Sequence, residues 1–218
     1  MLSFREFLNE TSGTTVQPKN KSELMKIIKD TIKNKGNNCD LNFIDTSLID
    51  DMSKLFRESK FNGDISKWNV SSVENMEGMF SESNFDGDIS KWNVSNVKDM
   101  RYMFFESNFK GDISKWNVSS VKDMRYMFCK SEFNRDISKW NVSKVEDMIY
   151  MFSNSEFNGD ISKWDVSNVK DMEGMFLGSV FNGDISKWNV SKVKNMDNMF
   201  NRSPLEGNEP DWYDGSIY

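Results

Sequence analysis

A 24-residue unit recurs six times in this chain without a single insertion or deletion, beginning at Phe61, Phe85, Phe109, Phe133, Phe157 and Phe181. So strict a period leaves little choice of architecture. Each unit must form one coil that cannot bury its own apolar face and does so against its neighbours. The unit reads Phe-Asn-Gly-Asp-Ile-Ser-Lys-Trp-Asn-Val-Ser-x-Val-x-x-Met-x-x-Met-Phe-x-x-Ser-x, and positions below are numbered 1 to 24 from its Phe. One step back from Phe61 lies a degenerate copy, in which Asp40, Leu41, Ile44, Ser47, Ile49, Met52, Leu55 and Phe56 hold the places of Asp64, Ile65, Trp68, Ser71, Val73, Met76, Met79 and Phe80. Terminal repeats diverge in this way because they cap the stack.

The apolar spacing within the unit predicts an α/β repeat. Val73, Met76, Met79 and Phe80 fall at helical spacing, with Ser71 placed to cap that helix. Gly-Asp-Ile-Ser is short and bounded by turn formers, which fits one brief parallel strand with Ile65 inward. The expectation is therefore a right-handed, leucine-rich-repeat-like solenoid, one strand and one short helix per unit, curved with its strands on the concave side. The Trp column from Trp68 to Trp188 reads either as a flat ligand platform or as core. Ile44 in the degenerate copy keeps the apolarity and discards the ring, which favours core. Twelve of the fifteen methionines lie in two columns and read as core filler. The aspartate column from Asp64 to Asp184 invites a calcium reading. Each Asp has a Lys three residues on, and the Gly-Gly-x-Gly-x-Asp pattern of calcium-binding coils is missing, so neither metal nor cofactor is expected.

With these residues in view, the unit resembles the repeat of the BspA-like leucine-rich-repeat family, DUF285, over residues 37 to about 204. Trp-Asn-Val-Ser and Met-x-x-Met-Phe carry the resemblance. It implies a protein-binding scaffold, since members of that family are mostly bacterial surface proteins thought to bind host proteins. A second resemblance covers residues 2–10, Leu-Ser-Phe-Arg-Glu-Phe-Leu-Asn-Glu, which is similar to capsid-targeting propeptides of internal head proteins in large tailed phages. That likeness implies cleavage after Leu8-Asn9-Glu10. The other reading of residues 1–10 is a short docking helix with Phe4, Phe7 and Leu8 on one face. Residues 11–20 read as a polar tether, and residues 21–36 as a capping helix from about Ser22 to Lys35 with Gly36 past its end. The repeats occupy 37–204, and 205–218 form an acidic tail whose Trp212 and Tyr213 cover the last coil.

Function in a repeat protein is sought where the columns vary. Position 18 holds Gly78, Tyr102, Tyr126, Tyr150, Gly174 and Asn198. On the expected helix it faces solvent on the convex side, with Arg101, Arg125 and Ile149 before the tyrosines and Phe105 nearby. Tyrosine and arginine concentrate at binding hot spots, so these residues are the first candidate interface; the alternative is tyrosine packing against a neighbouring coil. Arg135 interrupts the glycine column of position 3 and marks a second candidate surface. The chain contains no histidine, no phosphate loop and no nucleophile elbow, so a non-enzymatic role is expected over a carboxylate-based hydrolase. A net charge of −6 with scattered basic residues argues against a nucleic-acid partner, and no apolar run is long enough for a membrane. Cys39 and Cys129, almost four units apart, should be free thiols. No export signal is visible, so the host cytoplasm or a virion interior is expected, with the cell surface and an adhesin role disfavoured.

Overall fold

The computed structural model describes residues 15–215. The 24-residue coils do stack, but the strand-plus-helix solenoid expected from the sequence is not what forms. Among the described residues there is one helix, α1, Lys21–Lys35, and no named strand. The segment expected to be helical in each coil is instead a run of hydrogen-bonded turns, in which Met79 N–H bonds the Met76 carbonyl and Ser81 N–H bonds that of Gly78. Pairing between coils reduces to isolated parallel bridges such as Asn75 with Asp99 and Asp99 with Asp123. They lie at position 15; Gly-Asp-Ile-Ser forms one only at the first junction, Asp40 with Asp64.

The physical reason is backbone conformation. Positions 18 and 22 have positive φ in all seven coils, from Lys54 and Glu58 to Asn198 and Arg202, and a right-handed helix cannot pass through such residues. Alternate amides therefore leave the coil. Met76, Gly78, Phe80 and Glu82 donate to the carbonyls of Asp99, Arg101, Met103 and Phe105 at 2.7–3.0 Å, and the same four bonds recur at each of the six junctions. Ser71 caps nothing; its N–H donates to Asn69 Oδ1. Three such side-chain turns hold every regular coil, at positions 4, 9 and 15, as Asp64 to Ser66, Asn69 to Ser71 and Asn75 to Glu77. The aspartate column is thus committed to turns, and the Ser66 N–H and hydroxyl hold Asp64 below the usual carboxylate range.

Val73, Met76, Met79 and Phe80 still point inward, because a three-residue turn repeats its inward position as a helix does. The Trp column is core as well, 3–5% exposed from Trp68 to Trp188. Each indole Nε1 donates to the carbonyl of the isoleucine or leucine one coil back, as Trp92 to Ile65 at 3.2 Å. Trp212 lies 24 residues after Trp188 and repeats the bond to Ile185 at 3.0 Å, so half of an eighth coil closes the stack. Tyr213 meets Phe200 edge-on at 4.9 Å.

At the other end, α1 begins and stops as its sequence dictates. Asn20 Oδ1 accepts from Glu23 N–H at 3.0 Å, and Gly36, at φ 86°, returns its N–H to the Ile32 carbonyl. Leu24 and Ile28 join the core beside Leu41 and Ile44. Part of the expected tether is docked: Val16 pairs in parallel with Ile44. Both cysteines are free and buried.

Equivalent rings give the bend of the stack. They are 6.2–6.4 Å apart in the Phe61 column, 5.7–6.0 Å in the Phe56 column and 4.7–5.1 Å in the tyrosine column. Equivalent points of a bent stack lie closer together on its inner side. The tyrosines, expected on the convex side, are therefore on the concave one.

Candidate functional site: the tyrosine face

Position 18 faces outward from the bonded side of the coil, between the bridge at position 15 and the turn at position 22. Tyr102, Tyr126 and Tyr150 form a ladder there. Their rings stack at 4.7 Å and 7° for the first pair and at 5.1 Å and 18° for the second. All three are half-buried, with φ of 56°, 58° and 51°. Glycine or asparagine is the residue this conformation favours, and Gly78, Gly174 and Asn198 supply it in the other regular coils. Each tyrosine therefore carries roughly 1 kcal/mol or more of backbone strain.

The surroundings fix the ladder. Tyr150 donates its hydroxyl to Glu173 Oε1 at 2.8 Å, and burial together with that carboxylate pushes the phenol up to about 12. Arg101 lies along the Asp99 carboxylate with Nε at 3.0 Å and Nη2 at 2.7 Å, and Arg125 repeats this on Asp123. Each also reaches toward the next aspartate, Arg101 to Asp123 at 3.6 Å and Arg125 to Asp147 at 3.5 Å. Ile149 takes the third place of that row, so Asp147 has no arginine in its own coil, and burial raises its pKa. Phe105 meets Tyr102 edge-on at 5.7 Å, and the Lys130 ammonium lies 5.8 Å from the Phe105 ring. Cys129, beneath the ladder, is pushed up to about 11 by burial and is a thiol at neutral pH.

The model of the family described as "Mycoplasma protein of unknown function, DUF285" matches residues 24–132 and again residues 105–212. The chain belongs to the DUF285 family. No match was found among curated proteins or among solved structures. In this DUF285 chain the structure brings together Arg101, Tyr102, Phe105, Arg125, Tyr126, Ile149 and Tyr150 on one face. Arg135 sits at a different corner, where its Nε donates to the Lys110 carbonyl at 2.8 Å. Leu8, Asn9 and Glu10 lie outside the described residues.

Sequence reasoning missed the aspartates of position 15 that clamp the arginines. It also missed Glu173, Gly174 and the hollow over Gly78. The available signal was that positions 17, 18, 21 and 22 vary together while their neighbours repeat. Among the described residues no cluster of acidic or thiol groups is placed to hold a metal, and no helix is long and apolar enough to cross a membrane. What the face offers chemically is a flat aromatic strip edged by neutralised arginines, suited to stacking and hydrogen bonding.

Proposed function

We propose that this DUF285 chain is a non-enzymatic protein-binding scaffold whose interface is the tyrosine face. One observation carries the reading. Three consecutive coils stack tyrosines in a column that the other regular coils fill with glycine or asparagine and the degenerate coil with Lys54, and a run of large rings confined to the central coils is variation of the kind a binding surface carries. Large half-exposed aromatic rings beside arginines also have the composition of binding hot spots. The absence of histidine supports a non-enzymatic role.

The test is affinity capture with the native chain and with a Tyr102→Gly, Tyr126→Gly, Tyr150→Gly variant. Glycine is the better replacement here because Gly78 and Gly174 already hold this position in the same fold. A partner retained by the native chain and lost by the folded variant is the expected result; equal capture by both overturns the assignment of the face. A narrower form of the proposal is an internal or accessory protein of a phage, supported by the resemblance at Leu8-Asn9-Glu10. A mature chain beginning at Thr11 is its expected outcome, and an intact Met1 in virions would refute it.

A further inference from the structure

We infer that the hollow over Gly78 is the seat for a neutral aromatic side chain of a bound protein, taken up as a fourth ring on the open face of Tyr102. This rests on the reading of the tyrosine face as an interface and names what that interface grips. The ladder is closed at one end and open at the other. Its rings lean toward the C-terminal coils, and Tyr150 lies across Gly174 so closely that a Cβ there would come within 2.2 Å of its Cε1. At the N-terminal end Gly78 contributes no ring, and the face of Tyr102 looks into a hollow of ≈ 160 Å³ open to solvent.

The walls of that hollow select the occupant. Tyr102 supplies a flat face, and Phe105, turned 71° to it, adds a second aromatic wall at the corner. This is the environment for a ring that stacks on one neighbour and meets another edge-on. The rim is charged but balanced: Lys54 pairs with Glu77 and Arg57 with Glu82, each at 3.3 Å. No unpaired charge of either sign is left to attract a phosphate or a free cation. An uncharged ring fits, and both rim pairs keep donors and acceptors available for the backbone that carries it.

The chain itself indicates how to block the seat. A Cβ at Gly78 would meet Lys54 Cγ at 3.6 Å, Ser81 Cβ at 3.8 Å and Tyr102 Cβ at 4.0 Å, all ordinary contacts. Its φ of 57° is matched by Tyr102 at 56°. Gly78→Tyr therefore builds the fourth ring from within, and Gly78→Ala carries the same backbone strain with the seat left open.

The experiment titrates N-acetyl-tyrosinamide into the full ¹⁵N-labelled chain, its two variants and the triple glycine variant, following amide shifts by NMR. Expected are shifts centred on Gly78, Tyr102 and Phe105, with the affinity retained in Gly78→Ala and weakened roughly three- to tenfold in Gly78→Tyr, as loss of a stacked ring pair implies. Shifts that persist unchanged in Gly78→Tyr, or none in the native chain, overturn the seat. Sedimentation of the same samples provides a second check: a native dimer dissociated by Gly78→Tyr would make the occupant another copy of this chain and overturn the assignment to a different protein. If the triple variant loses its captured partner while the probe never binds, the seat is wrong and the interface stands. If the probe binds as expected while capture is indifferent to the tyrosines, the seat stands and the interface reading fails.

Discussion

The two sides of each coil are held together by different means, and that difference governs where the sequence is free to vary. On the side of positions 15 to 22, backbone amides bond directly from coil to coil, four at every junction. Any side chain compatible with the turn can then sit outside, and Gly, Tyr and Asn all do at position 18. Past the first junction, where Asp40 still pairs with Asp64, the coils splay on the side of positions 1 to 10 to more than 6 Å, too far for a backbone ladder at about 4.8 Å. There side chains bridge the gap. The indole of each Trp bonds the preceding coil, and Asn62 Oδ1 and Asp86 Oδ1 accept from the position-2 amides of the following coils at 2.9 and 2.7 Å. The tryptophan that carries the joint is the same in all six regular coils, so the repetitive side is structural and the variable side is available for recognition.

The largest effect should come from breaking the splayed side. Trp116→Ala removes a buried ring and leaves the Ile89 carbonyl without its partner, and the expected loss is about 3–5 kcal/mol, read as a lower urea midpoint. Trp116→Phe keeps most of the packing and should cost about 1–3 kcal/mol for the unpaired carbonyl.

Acid should act on the same side. The carboxylates of position 4 are held below their usual range by hydrogen bonds from the serine two residues on, from Asp88 through Asp184. Their stabilisation is complete above the unfolded value of about 3.9 and is lost as pH falls through the lowered folded values. The urea midpoint should therefore drop as pH falls below about 4 through the lowered folded values, and Asp112→Asn with Asp136→Asn should flatten that drop. Asp147, on the bonded side, has the opposite sign: burial raises its pKa, so its ionisation costs stability as pH rises.

The smallest change in stability is expected on the bonded side. Tyr126→Gly relieves left-handed strain and forfeits two ring contacts, terms of similar size, so stability should move by less than about 1 kcal/mol. Capture of the partner should fall severely in the same variant. A stability loss comparable to that of Trp116→Ala would erase the contrast between the two sides.

Register, core and α1 were legible in the sequence because each rests on a pattern with one reading. Period 24 fixes which residues are equivalent, Gly36 marks the end of the helix, and Ile44 in the Trp column betrays burial. The path of the backbone was not legible from apolar spacing, since inward residues at intervals of three suit a turn and a helix alike. The deciding clue was present at other positions: Gly78, Gly174 and Asn198 at position 18, with Asn154 and Gly178 at position 22, are residues tolerant of positive φ. Three tyrosines in the same column obscured it. The candidates in and beside position 18 came from variation within that column and share one face, whereas their placement on the convex side rested on a helix that does not form, and Arg135 lies at another corner.

At each junction the four amides of positions 16, 18, 20 and 22 point toward the C-terminal coils, and the carbonyls that receive them point back; the amide of position 14 runs the other way, as Lys98 to Glu74. Ordinary β-sheets largely cancel their peptide dipoles, whereas a row in which most bonds share one direction keeps a net sum. The stack is thus electrically polar, with its carbonyl end near α1 and its amide end near residue 202. Its termini are dressed to match: the Lys21 ammonium reaches the Asp51 carboxylate and the Ser53 hydroxyl at the first, and the Glu206 carboxylate accepts from the Arg202 N–H at the second. A coil can be inserted at any junction and find its bonds waiting, but only facing forward. Lengthening the protein by whole units therefore extends the polarity along with the surface, and a reversed coil would set carbonyl against carbonyl.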